Sequence, residues 1–505
     1  MNLKKTFLAA GLAAVAFAAQ QAAGALEVGV TDWSIDGDTG EDVAAIAYNI
    51  TEPCVVTMDI ITNTTGGVWH SGDKYVSIGG ENIVPGVSAD SDVWKKVSSS
   101  PGMIKWRPGR AWKDNKTLAD AMRVVVTAWP LTNPPPYMVV DITEGAATNA
   151  SRSVCDNIRY YQSEDFVPGG VLGNVRYRQS ALLMRKITAK DITWTMGSAA
   201  NDDRPEGLQE CTANSNPKYN MVANEASHQV TLTNNYYMAV FPITQAQWAI
   251  MRTKNQYPSW FTNRTARIMC PVEQVSYAQI RLNDIVTADN NSWDGNYEFP
   301  RDPNPKSYLG LLRSRTGVNF DLPGEAQWEW ACRAGHGYGY WGDGLENTYD
   351  GSRATATNEN QLAVGRSSPQ NRYGTGDETR ANASDGSGRN LGAEEGTAVC
   401  GSYKANSWGI YDMLGNVREI CLDWTDENAV DLDYRVNIDP ARPGRLIAPL
   451  ESGQTYGIEG KWKVRRGGCW TLWPNHCRPA RRQAERYDAL KNCDGFRVMC
   501  PAEVP

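Results

Sequence analysis

The segment Arg465 to Cys500, RRGGCWTLWPNHCRPARRQAERYDALKNCDGFRVMC, is the part of the chain from which the fold class follows. It brings eight basic residues and four cysteines together near the C-terminus. Gly467 and Gly468 permit a turn or a close backbone approach that a side chain would block. Gly495 to Val498 are predicted to form a final strand that closes the domain. The middle of the segment should then face solvent as a loop, and loops on rigid scaffolds often carry recognition.

This loop is rich in residue types that bind ligands. Trp and Arg concentrate binding energy, and guanidinium groups favour anionic or carbohydrate ligands that accept paired hydrogen bonds. The alternative is that the tryptophans lie in the core and the arginines hydrogen-bond long loops, because Trp is usually largely buried. The predicted exposed cleft is lined by Trp470, Trp473, His476, Arg478, Arg481 and Arg482, with Arg418 at its floor.

Five stretches of the chain resemble the formylglycine-generating enzyme family, also called the sulfatase-modifying factor family. GGCW, CRPA and GFRV stand where this family has GGSW, CRSA and GFR. The resemblance covers about residues 182 to 500 and implies an α+β domain of decorated C-type-lectin type. It is much less specific for activity than for fold. The other matches, in chain order, are YYM from Tyr236 with TQAQW from Thr244, PVEQVSY from Pro271, NFDLPGEAQWEWACRAG from Asn319 and NSWGIYDMLGNVREICLDW from Asn406.

The composition and the N-terminus indicate an exported protein of two domains. A length of 505 residues exceeds one ordinary domain. The net charge of -7 argues against nucleic acid as a general partner. Lys4 and Lys5, an apolar run and Ala23-Gly24-Ala25 have the layout of a bacterial secretory signal over residues 1–25. We therefore predict a secreted or periplasmic protein with no membrane span.

The remaining chain divides by pattern into a β-domain, a connector and a mixed domain. Residues 26–155 are predicted to form a small β-sandwich, with strands at 42–50, 55–61, 123–129 and 137–142. Residues 156–181 are predicted to be a linker, and residues 182–505 the formylglycine-generating-enzyme-like domain. Helices are predicted after the cap Thr244, over 276–285 and over 323–334. Glu325 and Glu329 are expected on a solvated helix face rather than in acid-base chemistry.

Two carboxylates flank a Gly-Asn turn in the stretch DMLGNVRE. Their oxygens and the freed backbone carbonyls could converge on a hard cation. The resemblance implies structural Ca²⁺ here, bound by the side chains of Asp412 and Glu419 and the carbonyls of Gly415 and Val417. The alternative is a surface turn that carries an Asp and a Glu.

The cysteines depart from the pattern of the active family. Catalysis in that family depends on two nearby cysteines that bind Cu(I) and activate O₂, and soft thiolates suit Cu(I). Cys477 matches the second of them, but Leu472 stands at the first, and Cys469 replaces the serine of GGSW. Copper, with Cys477 and Cys469 as catalytic residues, is therefore expected only if the protein is an oxidase. An iron site of the ergothioneine-synthase type lacks support, because the four histidines do not cluster.

Export makes disulfides permissible. We predict that Cys477 is oxidised, with its partner open among Cys332, Cys421, Cys469, Cys493 and Cys500. Cys54 and Cys155 could tie the ends of the first domain together.

The retained scaffold motifs and the altered cleft together predict a ligand-binding protein rather than an enzyme. Arg418, where the family usually has tryptophan, is a second departure in the cleft. One version of this interpretation is a retroelement-diversified variable protein, since the stretch Cys469 to Asp494 lies where such variation falls. The partner is a glycan or a protein. The alternatives are an oxidase that acts on peptidyl cysteine of sulfatases and a structural envelope protein.

Overall fold

The computed structural model describes residues 13–16, 27–35, 42–63, 74–98, 100–112, 122–143, 157–197, 227–252, 257–261, 267–282, 302–336, 363–364, 396–425, 462–470, 472 and 477–505. The chain divides into two compact units. The first contains residues 1–139, 155–175 and 502–505, and the second contains residues 140–154 and 176–501. Each unit is mixed in structure and rich in strands, and helices are few and short.

The first unit is formed by β-sheets. Its strands are β1 (Ala13–Ala16), β2 (Glu27–Ile35), β3 (Asp42–Asn49), β4 (Cys54–Asn63), β5 (Tyr75–Ser77), β6 (Lys96–Val97), β7 (Gly102–Trp106) and β8 (Met122–Pro130). One sheet has the order β1-β8-β4-β5 with β6 paired to β4, and another has the order β2-β3-β7. Strand β9 (Tyr137–Asp141) crosses the division between the units, and β10 (Ile158–Tyr161) returns to the first. Two short helices are α1 (Gly80–Ile83) and α2 (Pro108–Ala111).

These strands confirm the four predicted from the pattern of the N-terminal sequence. The β-branched residues explain why: Val124 and Val126 of β8 are buried while their neighbours are only partly so, which is the alternation of a half-buried strand. Face-to-face packing of the two sheets as a sandwich stays a prediction. Strand β1 lies inside the predicted signal and pairs in parallel with β8, Ala13 opposite Arg123. Signal cleavage would remove that strand from the sheet, and export likewise stays a prediction.

The second unit has four sets of paired strands. Its strands are β11 (Ala181–Ile187), β12 (Ile192–Met196), β13 (His228–Leu232), β14 (Tyr236–Ala239), β15 (Ala363–Val364), β16 (Leu414–Gly415), β17 (Arg418–Thr425), β18 (Trp462–Arg466), β19 (Arg482–Arg486), β20 (Asp494–Gly495) and β21 (Met499–Pro501). Within this unit β14 pairs with both β11 and β21, β12 with β13, and β15 with β16. The sheet β19-β18-β17-β20 carries most of the residues predicted to be functional.

Local capping explains the helices of the second unit. Helix α3 (Gln245–Met251) has Thr244 as its N-cap in a capping box with Gln247, which confirms the predicted start. Helix α4 (Tyr277–Arg281) has the same arrangement with Ser276 and Gln279. Helix α6 (Glu325–Arg333) confirms the third prediction with bounds shorter by two residues at the start and one at the end. Helix α5 (Tyr308–Thr316) was not predicted, although its signals are in the sequence: Ser307 caps its start and Gly317, at φ 68°, ends it.

The predicted closing strand is divided in the structure. Gly495 belongs to β20, β21 begins at Met499, and Phe496 to Val498 join the two. The carbonyls of Phe496 and Val498 accept hydrogen bonds from the backbone N–H groups of Ile243 and Ala239. The prediction of one continuous strand over Gly495 to Val498 is therefore wrong, but the stretch closes the unit by backbone hydrogen bonds as expected.

Candidate functional site

The floor of the site is a buried ion pair between Glu419 at the start of β17 and Arg497 near the C-terminus. Both side chains are fully buried. Arg497 Nη2 and Nε lie 2.6 Å from Glu419 Oε1 and Oε2. The indole Nε1 of Trp328 donates to the same Oε2 at 2.6 Å. Arg497 also donates to the carbonyls of Ala239 and Tyr411, each at 2.9 Å, so this one side chain connects three parts of the unit.

A second buried charge network holds helix α6 against β18 and β19. Glu329 accepts from Arg333 at 2.8 Å and from Arg466. Burial alone would raise the pKa of Glu329, but the guanidinium groups of Arg333 and Arg466 outweigh it and keep that pKa below its usual value. Glu325 is bound by both ends of the Arg482 fork, with Nη2 at 2.7 Å from Oε2. The prediction that Glu325 and Glu329 lie on a solvated face is therefore wrong, because both carboxylates are buried and paired with arginine.

Four of the predicted cleft residues lie in the interior. Trp470 and Arg478 are fully buried, and Arg481 and Arg482 are nearly so. The prediction that these four line an exposed cleft is wrong, and the alternative that such side chains belong to the core is the one observed. Trp473 and His476 lie outside the described residues.

Trp470 is held by packing and by hydrogen bonds on both sides. Its ring meets Phe261 edge to face at a centroid distance of 5.0 Å. Its Nε1 donates to the carbonyl of Asn492 at 3.0 Å, and its backbone N–H donates to the carbonyl of Asn416 at 3.0 Å. A tryptophan with its ring packed and its N–H satisfied is an anchor for the segment.

Arg418 is mostly buried, with 12% of its side chain exposed. Its Nε donates to Asp494 Oδ1 at 2.6 Å, and its Nη2 lies 3.3 Å from the sulfur of Cys493. Asp494 also accepts from Arg465 Nε at 3.1 Å. Arg418 therefore fixes β17 to β20 and leaves only its edge for a ligand.

Of the residues predicted to hold Ca²⁺, Glu419 is committed to another partner, and the calcium site as a whole stays a prediction. Glu419 already has both carboxylate oxygens bound by Arg497, which neutralises the charge a cation would need. Asp412, at φ 57°, uses Oδ2 to accept from the N–H of Gly401 at 2.7 Å. Its buried Oδ1 has no hydrogen-bond partner among the described residues. Burial raises the pKa of Asp412 to about 6. Among the described residues, no three His, Cys, Asp or Glu side chains cluster as metal ligands.

The cysteines of the segment do not pair as an oxidase would require. The sulfur of Cys477 lies 3.9 Å from the backbone carbonyl of Cys469. Cys469 and Cys493 instead lie in one small apolar cluster with Phe261 and Trp470. Cys332, Cys421 and Cys493, three of the partners considered for a Cys477 disulfide, are thiols. Cys54 is also a buried thiol, and Cys155 lies outside the described residues.

An exposed aromatic surface adjoins Trp470 and was not predicted. Tyr257 is 50% exposed and Trp260 is 59% exposed. The loop that carries them is held by the buried carboxylate of Glu273, which accepts from the backbone N–H groups of Trp260 at 3.0 Å and Phe261 at 3.2 Å. The guanidinium of Arg267 lies over the Tyr257 ring at 5.1 Å. We call Tyr257, Trp260 and Arg267 the aromatic surface. The sequence signal was the pair of aromatics outside any periodic run, just before PVEQVSY.

Comparison with known families decides the class of the second unit. The model of the sulfatase-modifying factor enzyme 1-like domain matches residues 193–502, more than half of the chain. The chain belongs to this family. Within the sulfatase-modifying-factor-like domain, GFRV contributes Arg497 to the buried ion pair, and GGCW contributes the buried Trp470.

The chain is similar in sequence to parts of proteins named as a kinase and as a chaperone. The chain is 31% identical over 147 residues to the serine/threonine-protein kinase pkn1 of Chlamydia caviae, a match that covers 29% of this chain and 21% of that protein. It is 27% identical over 252 residues to the chaperone protein LppX of Paenibacillus barcinonensis, covering 48% and 71%. The chain therefore spans about a fifth of the length of the kinase.

Two solved structures resemble the domain at low identity. Treponema denticola variable protein 1 matches with a TM-score of 0.35 and 19% identity, covering 64% of this chain and 95% of that one. PvdO from Pseudomonas aeruginosa matches with a TM-score of 0.38 and 17% identity, covering 63% and 94%. Among the described residues, no helix has the length and hydrophobicity of a membrane span.

Proposed function

We propose that the chain is an exported ligand-binding protein on a sulfatase-modifying-factor-like scaffold, and that its ligand is a glycan. The observation that supports it most is the placement of the sulfurs: Cys469 and Cys493 lie in one apolar cluster, while the sulfur of Cys477 lies 3.9 Å from the backbone carbonyl of Cys469. With Leu472 at the position of the first copper cysteine, Cys477 lacks the partner that the motif of the oxidases supplies.

The ligand contacts the aromatic surface rather than the buried arginines. Trp260 and Tyr257 present flat amphipathic rings, which stack on the apolar faces of sugars as they do on other flat groups. Arg267 adds a donor fork for hydroxyl or carboxylate groups. Because Glu273 holds the loop through two backbone hydrogen bonds, little conformational entropy is lost on binding. Arg418 can add a contact through its 12% exposed edge, and Trp473 and His476, which are also predicted from the sequence to contact the ligand, lie outside the described residues.

A glycan microarray tests this proposal. The full chain, labelled at its N-terminus, should bind a restricted group of glycans. Trp260→Ala should lose that signal, whereas Met103→Ala, which changes a 39% exposed side chain in the first unit, should keep it. If the wild-type chain binds no glycan but binds a protein in a parallel array, the ligand is a protein and the glycan proposal is overturned.

An assay for oxidation of peptidyl cysteine tests the competing activity. The protein is incubated with Cu(I), O₂ and a sulfatase-derived peptide, and the product is weighed by mass spectrometry. We expect the peptide mass to stay unchanged. Conversion of cysteine to formylglycine, abolished by Cys477→Ser, would replace binding by oxidation as the function.

A further inference from the structure

We propose that Cys469 and Cys493 are a disulfide-forming pair that fastens the segment between them to the sheet. The pair differs from the Cys477 disulfide expected from the sequence. It also does not depend on which ligand the protein binds.

Three hydrogen bonds hold the backbone next to Cys469 close to the backbone at Cys493. Trp470, next to Cys469, donates from its backbone to the carbonyl of Asn416 at 3.0 Å. Arg418 donates from its backbone to the carbonyl of Cys493 at 2.7 Å. The Trp470 indole then bridges the pair directly, by donating to the carbonyl of Asn492 at 3.0 Å.

The side chains are also directed at each other. Cys469 packs in one small apolar cluster with Phe261 and Trp470, and Cys493 packs against the same cluster. Cys469 is 1% exposed, and Cys493 is partly exposed. Cys493 is therefore the sulfur that an outside reagent reaches, and Cys469 is the one placed to resolve the exchange.

The chemistry needs an oxidant, which we assign to a small-molecule disulfide such as oxidised glutathione. The thiolate of Cys493 attacks one glutathione sulfur, forms a mixed disulfide and releases one reduced glutathione. The thiolate of Cys469 then attacks Cys493, forms the protein disulfide and releases the second glutathione. The two protons lost by the cysteine thiols are balanced by the two that the departing glutathione thiolates take up, and the two electrons lost by the cysteines reside in the two reduced glutathione molecules. The hydrogen bond with Cys469 and burial raise the pKa of Cys493, so we expect exchange to be slow in the folded protein and faster during refolding.

Peptide mapping of the full chain tests the proposal. The protein is refolded in a buffer of oxidised and reduced glutathione, its remaining thiols are alkylated, and it is digested without reduction. Trypsin isolates Cys493 in the peptide NCDGFR, and chymotrypsin separates Cys469 from Cys477 by cutting after Trp470 or Leu472. We expect the Cys493 peptide joined to the Cys469 peptide. The linked protein should melt about 5 °C higher than the same sample after reduction, since a disulfide restricts the unfolded chain.

Two variants keep the result interpretable. Cys477→Ser should retain the crosslink, and Cys469→Ser should lose it and the melting difference. Cys493 recovered as an alkylated thiol in the refolded wild-type chain would overturn the proposal, as would Cys493 joined to Cys477. The wild-type peptide map decides this even if a variant does not fold.

Discussion

Arg497 and Glu419 form a two-pronged ion pair in which both nitrogen-oxygen distances are 2.6 Å. The pair joins the motif GFRV to the motif GNVRE across 78 residues of sequence. A buried carboxylate without its partner is strongly unfavourable. The two motifs therefore contribute to the stability of the scaffold.

Loss of this pair should unfold the second unit. Arg497→Leu leaves Glu419 charged and buried, and we expect a loss of about 3 to 5 kcal/mol in the free energy of unfolding. Arg486→Ala is the matched control, because Arg486 pairs with Asp488 on the surface with 48% of its side chain exposed, and its loss should be below about 1 kcal/mol. Urea titration measures both. Equal, small losses would mean that the ion pair does not hold the fold.

Substitution by alanine should lower stability strongly at Trp470 and very little at Trp260. Trp470→Ala empties a fully buried site and should lower stability by about 3 to 5 kcal/mol. Trp260→Ala removes a side chain that is 59% exposed and should change stability by less than about 1 kcal/mol. Differential scanning calorimetry distinguishes them. A normal melting temperature for Trp470→Ala would contradict a core role for Trp470 and would favour the exposed cleft predicted from the sequence.

Much of the domain follows from its sequence, and the buried charges do not. The helix starts at Thr244 and Ser276 follow from local capping, which depends on residues three apart. Long cationic side chains such as Arg482 are usually at the surface. The partner that makes its burial favourable, Glu325, lies 157 residues earlier, and a single sequence does not show that pairing. Helix α5 is different, because its N-cap Ser307 is a local signal from which the start of the helix could have been predicted.

Asp412 should make stability depend on pH. Its pKa rises from 3.8 to about 6 in the folded protein, so the folded state holds the proton more tightly than the unfolded chain. This contribution is present below pH 4 and is lost as the pH rises through about 6, by on the order of 3 kcal/mol.

Asp412→Asn isolates that contribution, since Asn tolerates the same φ and can still accept from Gly401. Urea titrations of both proteins between pH 4 and pH 7.5 give the difference. We expect the wild type to lose stability relative to the variant as the pH increases. Parallel curves for the two proteins would show that Asp412 does not titrate in this range.

Chelation should leave the melting temperature unchanged. Both carboxylate oxygens of Glu419 accept from Arg497, so we expect this carboxylate to hold no calcium ion that a chelator could remove. Thermal melts with chelator, with added calcium and with neither are compared by circular dichroism. A lower melting temperature in chelator that calcium restores would establish the calcium site expected from the family resemblance.

The most direct measurement of the account is the affinity of the protein for a glycan selected on the array, determined by isothermal titration. Wild type and Met103→Ala should bind with the same dissociation constant. Trp260→Ala, with an unchanged melting temperature, should bind at least about 30-fold more weakly, which corresponds to a hot spot of about 2 kcal/mol. An unchanged dissociation constant for Trp260→Ala would contradict the claim that the aromatic surface binds the ligand.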